Sequence, residues 1–141
     1  MIILPVIMRR GKILKRSGVK ATNCPVALGV LDAEIMRFRD CWPHKGDKYR
    51  LQRAFYRLVI KFEPGKHFDN YANGEKAVGE VVSKYCIRLA SDTPTMRRGA
   101  LHHELVHWAL LVLEGDPDSN HNSPGGGWGA GHDQMLRRLI R

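Results

Sequence analysis

Segment 103–107 reads His103-Glu104-Leu105-Val106-His107 and lies in an apolar stretch long enough to form a buried helix. Residues four apart stand one turn above each other on a helix, so both imidazoles can face one metal ion with Glu104 beside them. Imidazole nitrogen suits zinc, and a carboxylate that does not reach the ion can still hold its bound water. The segment therefore predicts a hydrolytic zinc site on a helix.

The sequence around this segment sets the length of that helix. Pro94 precedes it and Gly115 follows it, so we predict a helix from Thr95 to Glu114. Its apolar stripe is formed by Leu101, Leu105, Trp108, Ala109 and Val112. The two histidines are expected at the edge of this stripe. His102 is rotated by ~100° from His103, and we expect it at the surface or behind the ligands.

Two histidines leave a third metal ligand to be found, and we expect it after the helix. Glu114 would sit ~10 Å along the axis from His107, too far to bind the same ion. We favour His132, because apolar residues follow it at helical spacing and would anchor it by packing. His121, which precedes a glycine run, is the less favoured alternative. The remaining candidates are Asp116, Asp118 and Asp133.

The glycine-rich loop before His132 has two interpretations. It runs from Pro124 to Gly131 and contains a single aromatic residue, Trp128. Glycine hinges would let the loop act as a lid whose tryptophan covers the cleft. A glycine run is also typical of a flexible connection without such a role.

The remaining sequence predicts a mixture of helices and strands. Three further helices are expected, and they span Leu31 to Arg39, Asp47 to Phe62 and His132 to Ile140. Three strands are expected, and they span Met1 to Met8, Ala77 to Val82 and Tyr85 to Ala90. The last two strands would form a hairpin that turns at Ser83-Lys84. These elements indicate an α+β fold, with a small antiparallel or mixed sheet packed on helices.

Composition points to an ordinary globular core with an uneven charge. Of 141 residues, 43% are hydrophobic and 26% charged, which fits a single domain spanning residues 1–141. Residues 1–61 carry 14 Lys and Arg against 4 Asp and Glu, whereas residues 62–141 carry 9 against 10. A basic segment of this kind attracts phosphate-bearing partners such as nucleic acid, or simply forms a solvated face. Both interpretations stay open.

Cysteine usage and hydropathy bear on the compartment. Cys24, Cys41 and Cys86 are too widely separated for a disulfide framework or a paired-thiolate zinc site. A reducing, cytoplasmic setting is therefore expected. The apolar opening of the chain is too short to span a bilayer, so no membrane partner is expected.

Residues 76–141 resemble the SprT-like family of zincin peptidases. In that family a pair of strands precedes the helix with the His-Glu-any-any-His motif, and a third histidine begins a short following helix. The resemblance is carried by Ala77-Val78-Gly79-Glu80, Tyr85-Cys86-Ile87-Arg88-Leu89, the motif at 103–107, and Gly131-His132-Asp133 with Leu136 behind it. The chain departs from the family pattern at Asp133 and Leu136, where a glycine and a later aromatic residue are common.

The resemblance implies a zincin-like domain in which the catalytic residues 76–141 follow a basic N-terminal segment, residues 1–61. It also implies a zinc-dependent metallopeptidase with one zinc ion per chain, held by His103, His107 and His132. Glu104 would take a proton from the attacking water and pass it to the leaving amine. An extended peptide substrate would pair with the strand around Tyr85 to Ala90. Its expected contacts are Tyr85, Ile87, Leu89 and Trp128.

Three other functions compete with a general peptidase. SprT-like proteins resemble DNA-associated proteases, so the substrate could be a protein bound to nucleic acid. The alternative is a basic nucleic-acid-binding protein in which the zincin domain is regulatory or degenerate. A third possibility is an effector or phage-encoded protease with a narrow host target. A Glu104→Gln variant separates the first two. Loss of cleavage with retained nucleic-acid binding supports a protease that acts on nucleic-acid-associated proteins, and no cleavage by the wild type supports the binding protein.

Overall fold

The structure is a computed structural model of the 141-residue chain and describes residues 11–63, 68–69, 76–77, 79–90, 98–119, 121 and 126–140. Within these residues the α-helices are α1 (Leu28–Cys41), α2 (Lys48–Phe55), α3 (Arg98–Glu114) and α4 (Ala130–Ile140). A 3-10 turn at Lys45–Asp47 precedes α2. The strands are β1 (Lys12–Ile13), β2 (Lys20–Thr22), β3 (Val59–Glu63), β4 (Phe68–Asp69), β5 (Lys76–Ala77), β6 (Gly79–Ser83) and β7 (Cys86–Ala90).

Five strands form one mixed sheet in the order β1-β2-β3-β7-β6. The three central strands β2, β3 and β7 are parallel, and β1 and β6 run antiparallel to their neighbours at the two edges. The short strands β4 and β5 pair with each other in a separate sheet. The expected combination of a mixed sheet with helices is confirmed at this level.

The segment from Asp47 to Phe62, predicted as one helix, divides into α2 and the central strand β3. Leu51, Phe55, Leu58 and Phe62 satisfy a helical spacing, but Leu58, Ile60 and Phe62 also alternate with more exposed residues at the period of a strand. The strand is favoured because both of its sides hydrogen-bond, to β2 and to β7. The prediction of helix beyond Phe55 is therefore wrong.

The other predicted elements agree with the structure within a few residues, except that Ala77 lies in β5 and the predicted helix start at Thr95 lies outside the described residues. The first helix extends from Leu28 to Cys41 and ends before Pro43. The hairpin formed by β6 and β7 turns at Lys84-Tyr85, one residue later than expected. The C-terminal helix begins at Ala130, two residues before His132. The predicted strand from Met1 to Met8 lies outside the described residues.

One apolar core joins the sheet to the helices. Ile60 and Phe62 of β3 pair with Ile87 and Leu89 of β7, and all four side chains are fully buried. In the described part of the chain, no helix is both long and apolar enough to cross a membrane.

Trp108 anchors α3 to the rest of the fold. Its ring stacks on Phe55 of α2, with ring centroids 5.4 Å apart and an interplanar angle of 12°. Its indole Nε1 donates a hydrogen bond of 2.7 Å to the carbonyl oxygen of Lys84 in the β6–β7 turn. Both contacts fix the rotation of α3, which determines the direction that its histidines face.

Candidate metal centre

Three histidines meet at the side of α3. His103 and His107 lie on consecutive turns of the helix, and His121 comes from the segment that follows it. The Nε2 atom of His121 lies 3.0 Å from Nε2 of His107 and 3.0 Å from Nε2 of His103. One ligand atom from each of the three lies within 4.8 Å of the other two. These residues are close enough to bind one metal ion.

The spacing of the three nitrogens fits zinc. Ligand nitrogens ~2.0–2.1 Å from a tetrahedral ion stand about 3.3 Å apart, slightly more than the two separations of 3.0 Å observed here. Hydrogen bonding accounts for the arrangement less well, because Nε2 of His121 has two close nitrogen neighbours and can donate at most one proton. The donor set therefore suits a metal ion better than it suits a metal-free cluster.

The protonation of His107 is fixed by the loop that follows α3. Its Nδ1 lies 2.7 Å from the carbonyl oxygen of Pro117. A carbonyl only accepts hydrogen bonds, so Nδ1 carries the proton and Nε2 directs its lone pair at the cluster. A hydrogen bond of this kind orients a metal-binding imidazole and selects its tautomer.

Burial keeps the imidazoles of the helix neutral. The pKa of His103 is lowered to about 4, chiefly by burial and then by the neighbouring rings of His107 and His121. Burial also lowers the pKa of His107, and its hydrogen bond to Pro117 opposes this effect. Both side chains are consequently uncharged near pH 7, which is the form that binds metal.

A tight loop directs His121 back toward the helix. Helix α3 ends at Glu114, and Gly115 follows with a φ of +81°, which glycine adopts without strain. The backbone N–H of Asp118 donates to Oδ1 of Asp116 at 2.8 Å, and the N–H of His121 donates to the carbonyl oxygen of Asp118 at 2.9 Å. Asp118 and His121 themselves have φ values of +49° and +54°. These successive turns reverse the chain within a few residues.

Trp128 packs against all three histidines. Its ring centroid lies 5.2 Å from that of His103 and 4.8 Å from those of His107 and His121. The side chain is 5% exposed. Of the two interpretations of the glycine-rich loop, the position of this ring agrees with a cover over the cleft.

The three aspartates considered as ligands make other contacts. Asp116 accepts the N–H of Asp118, as described above. Asp118 Oδ2 accepts the backbone N–H of Trp128 at 3.1 Å, and Asp133 Oδ1 accepts its indole N–H at 2.8 Å. These carboxylates thus hold the loop and the tryptophan. The spacing Asp116-Pro117-Asp118 is typical of such turns and is the signal in the sequence that points to this role.

His132 does not join the cluster, which corrects the expectation that it supplies the third ligand. Its Nδ1 accepts the backbone N–H of Gly129 at 3.0 Å, and its ring packs on Trp42 with centroids 4.8 Å apart. The side chain is 6% exposed, and Nε2 is buried with no hydrogen-bond partner among the described residues. Packing on α4 does hold His132 still, as expected, but it holds the ring against Trp42. The structure favours His121.

The side chain of Glu104 extends from α3 toward the edge strand β6. A Cβ added at Gly79 would stand 3.0 Å from Cγ of Glu104 and 2.7 Å from Cδ2 of Leu89, so only glycine fits there. The pKa of Glu104 is raised to about 7, chiefly by burial and then by the negative charge of Glu80. A carboxyl with this pKa accepts and releases protons near neutral pH.

The strand predicted to bind substrate is interior to the sheet. β7 is paired on one side with β3 and on the other with β6, and both Ile87 and Leu89 are fully buried. Its backbone therefore has no open edge for a peptide. Tyr85 is 52% exposed, but it lies in the β6–β7 turn beside Trp108, away from the histidines. Of the four expected substrate contacts, only Trp128 lies at the cluster.

His102, which precedes His103, is fully buried and faces α1. Its Nε2 lies 3.2 Å from the carbonyl oxygen of Glu34 and 3.3 Å from the carboxylate oxygen Oε2 of the same residue. The ring also stacks on Phe38 with centroids 6.4 Å apart. His102 therefore connects α3 to α1, and it is not a surface residue.

Comparison with protein-family models, with curated proteins and with solved structures finds no match for this chain.

Proposed function

We propose that this chain is a zinc-dependent metallopeptidase of the SprT-like, zincin type. The observation that carries the proposal is the convergence of three Nε2 atoms, from His103, His107 and His121, next to Glu104 on the same helix. The order of elements supports it as well. A hairpin of β6 and β7 precedes the motif helix and α4 follows it, which is the order that the resemblance implies.

The residues of the site would divide the work of hydrolysis between them. Zinc held by the three histidines would lower the pKa of a bound water and polarise the peptide carbonyl. The carboxylate of Glu104 would take the proton from that water and deliver it to the leaving nitrogen. Trp128 would limit the access of bulk water to the cluster.

A peptide substrate would lie along β6 and not along β7. The outer side of β6 carries no paired strand among the described residues, so its backbone groups are available to a peptide. Gly79 on this strand lies against Glu104, so a peptide paired with that edge would run beside the catalytic carboxylate. This choice of strand replaces the one expected from the sequence.

The experiment that tests the function combines metal content with cleavage of an unfolded protein. Purified wild-type chain should contain about one zinc per molecule and should cleave casein. Glu104→Gln should keep the zinc and lose activity by about 100-fold or more, because a general base contributes at least that factor. Glu63→Gln is the matched control, since this carboxylate bonds Arg88 and should leave cleavage unchanged.

The outcomes separate the competing functions. Zinc in the wild type together with cleavage that Glu104→Gln abolishes supports the peptidase. Stoichiometric zinc without cleavage of casein or of a proteome-derived peptide library contradicts it, and would favour a binding protein with a degenerate zincin site. Absence of zinc binding at micromolar concentration would contradict the proposal that the three histidines form a metal centre.

A further inference from the structure

A cationic pocket lies at the end of α2, where the helix meets the β6–β7 turn. Its volume is about 530 Å³, and it is open to solvent. The polar side chains that line it are Arg53, Tyr56 and Arg57 from α2 and its C-terminal end, and Lys84 and Tyr85 from the turn. The rest of the lining is apolar, and no acidic residue is among the described residues that form it. We name these five polar residues the cationic pocket.

Within the described residues, no carboxylate neutralises the positive charges of the pocket. Arg53, Arg57 and Lys84 are exposed, and none of them forms an ion pair with a carboxylate in the described part of the chain. The guanidinium of Arg53 lies over the ring of Tyr49, 5.8 Å from its centroid, and this contact leaves its charge in place. Three like charges around one concave surface attract an anion.

Two tyrosine side chains border the same pocket, one with a packed ring and the other on a hydrogen-bonded backbone. Tyr56 is 60% exposed, yet its ring covers Gly18 so closely that a Cβ there would stand 2.4 Å from Cδ1. Tyr85 is 52% exposed, and its carbonyl oxygen accepts the N–H of Val59 at 2.9 Å. Exposed aromatic faces on a fixed backbone bind planar groups without a large loss of conformational entropy.

The cationic pocket is separate from the metal centre. Val112, which lines the pocket, lies nine residues beyond His103, and at ~100° per residue this is the opposite side of the helix. Trp108, on the same side as Val112, donates to the carbonyl oxygen of Lys84. Glu104 lies eight residues before Val112, ~12 Å along the helix axis. A ligand in the pocket would therefore lie across the helix from His103 and well away from Glu104 along the axis.

We propose that the cationic pocket binds single-stranded nucleic acid. Phosphate groups would contact Arg53, Arg57 and Lys84, and unpaired bases would stack on Tyr56 and Tyr85. A duplex hides the faces of its bases, and an acidic peptide offers charge without planar bases, so neither uses both features. The excess of basic residues in segment 1–61, to which three of the five belong, favours the same ligand.

The test is fluorescence anisotropy with labelled oligothymidylate of about 12 nucleotides, a length within the usual range for such sites. The double variant Arg57→Ala/Lys84→Ala should weaken binding about tenfold or more at low salt, because it removes two phosphate contacts. The matched control is Lys12→Ala/Lys15→Ala, which removes the same charge from exposed residues outside the pocket. It should weaken binding by less than about threefold.

A second pair of variants tests stacking. Tyr56→Ala/Tyr85→Ala should weaken binding about fivefold or more, whereas Tyr56→Phe/Tyr85→Phe should keep it, since a phenyl ring still stacks. Glu104→Gln and chelation of zinc should leave the affinity unchanged, because the pocket lies across the helix from His103 and ~12 Å along the axis from Glu104. Nucleic-acid binding thus succeeds or fails independently of the peptidase.

Four results would overturn the proposal. One is equal weakening by the pocket variant and by its charge-matched control, which would assign binding to net charge. Another is equal affinity for a poly-glutamate peptide of the same charge, which would make the pocket a general anion site. Tighter binding of a duplex of the same length, or no binding of the single strand at low salt, would exclude single-stranded nucleic acid as its ligand.

Discussion

Asp118 holds two elements of the metal centre at once. Its backbone carbonyl accepts the N–H of His121, and its carboxylate accepts the N–H of Trp128. The side chain is 2% exposed, and a Cβ at Gly126 would stand 2.4 Å from its carboxylate, so the loop is closed tightly around it. The position of the third histidine therefore depends on an acid that we do not expect to bind the metal.

Replacing Asp118 tests this dependence. Asp118→Ala leaves the buried N–H of Trp128 unsatisfied, and we expect zinc affinity to fall about 10-fold to 100-fold, as for other residues that orient ligands. Asp118→Asn keeps an acceptor oxygen and should retain most of the affinity. Competition with a chromogenic chelator measures both. Equal affinities for Asp118→Ala and wild type would show that the loop positions His121 without this side chain.

The choice between His121 and His132 gives a second prediction at the same scale. His121→Ala should release zinc far more readily than wild type, because two imidazoles hold the ion weakly. His132→Ala should change zinc affinity little, since its Nδ1 bonds Gly129 and its ring packs on Trp42. Chelator titrations of both variants, checked for folding by circular dichroism, measure the difference. The reverse order of affinities would restore His132 as the ligand.

The meeting of His103 and His107 on α3 could be predicted from the sequence, and the approach of the third histidine could not, for a physical reason. Helix geometry alone brings His103 and His107 together. The approach of His121 depends on three residues with positive φ, Gly115, Asp118 and His121, and on one buried carboxylate. Neither feature leaves a periodic pattern in the sequence. The apolar residues that follow His132 at helical spacing indicated that packing would fix its position. They did not indicate that its ring would contact Trp42.

At the scale of the elements, contact between α3 and β6 depends on the absence of a side chain at Gly79. Gly79→Ala should cost about 1–3 kcal/mol of unfolding free energy, because Leu89 and Glu104 leave no room for a methyl group. It should also displace Glu104 and lower cleavage. Gly29→Ala in α1 is the matched control, since a Cβ there meets no atom within 4 Å. Thermal melts that shift equally for both variants would contradict this account.

Where a helix leads directly into a strand, the same apolar residues can fit both a helical period and a strand period. Segment 47–62 is such a case, and the boundary between α2 and β3 was therefore not predicted. The apolar residues after Phe55 fit either period. Pairing with two neighbouring strands decides between them, and those partners lie far away in the sequence. The β6–β7 hairpin was predictable because its partners are adjacent in the chain.

At the scale of the whole molecule, metal binding should raise the thermal stability of the protein. Zinc would join α3 to the loop that carries His121, so a ligand that binds only the folded state should raise the melting temperature. Saturation at ~1,000 times the dissociation constant adds about 4 kcal/mol, and at 2–4 °C per kcal/mol the shift is roughly 8–16 °C. Differential scanning fluorimetry with zinc and with chelator measures it. His103→Ala/His107→Ala should show no shift, and an equal shift in that variant would place the metal elsewhere.

The position of Trp128 makes the metal centre observable by light. The centroid of the indole ring lies 4.8–5.2 Å from the centroids of the three histidine rings. At this distance a paramagnetic ion bound by the histidines would quench the fluorescence of the tryptophan. Cobalt or copper in place of zinc should therefore quench the fluorescence of this tryptophan. Zinc should not quench it, because its d shell is filled. Trp128→Phe should abolish this metal-dependent quenching, and Trp42→Phe should retain it. The emission of Trp128 would thus report which ion the three histidines bind.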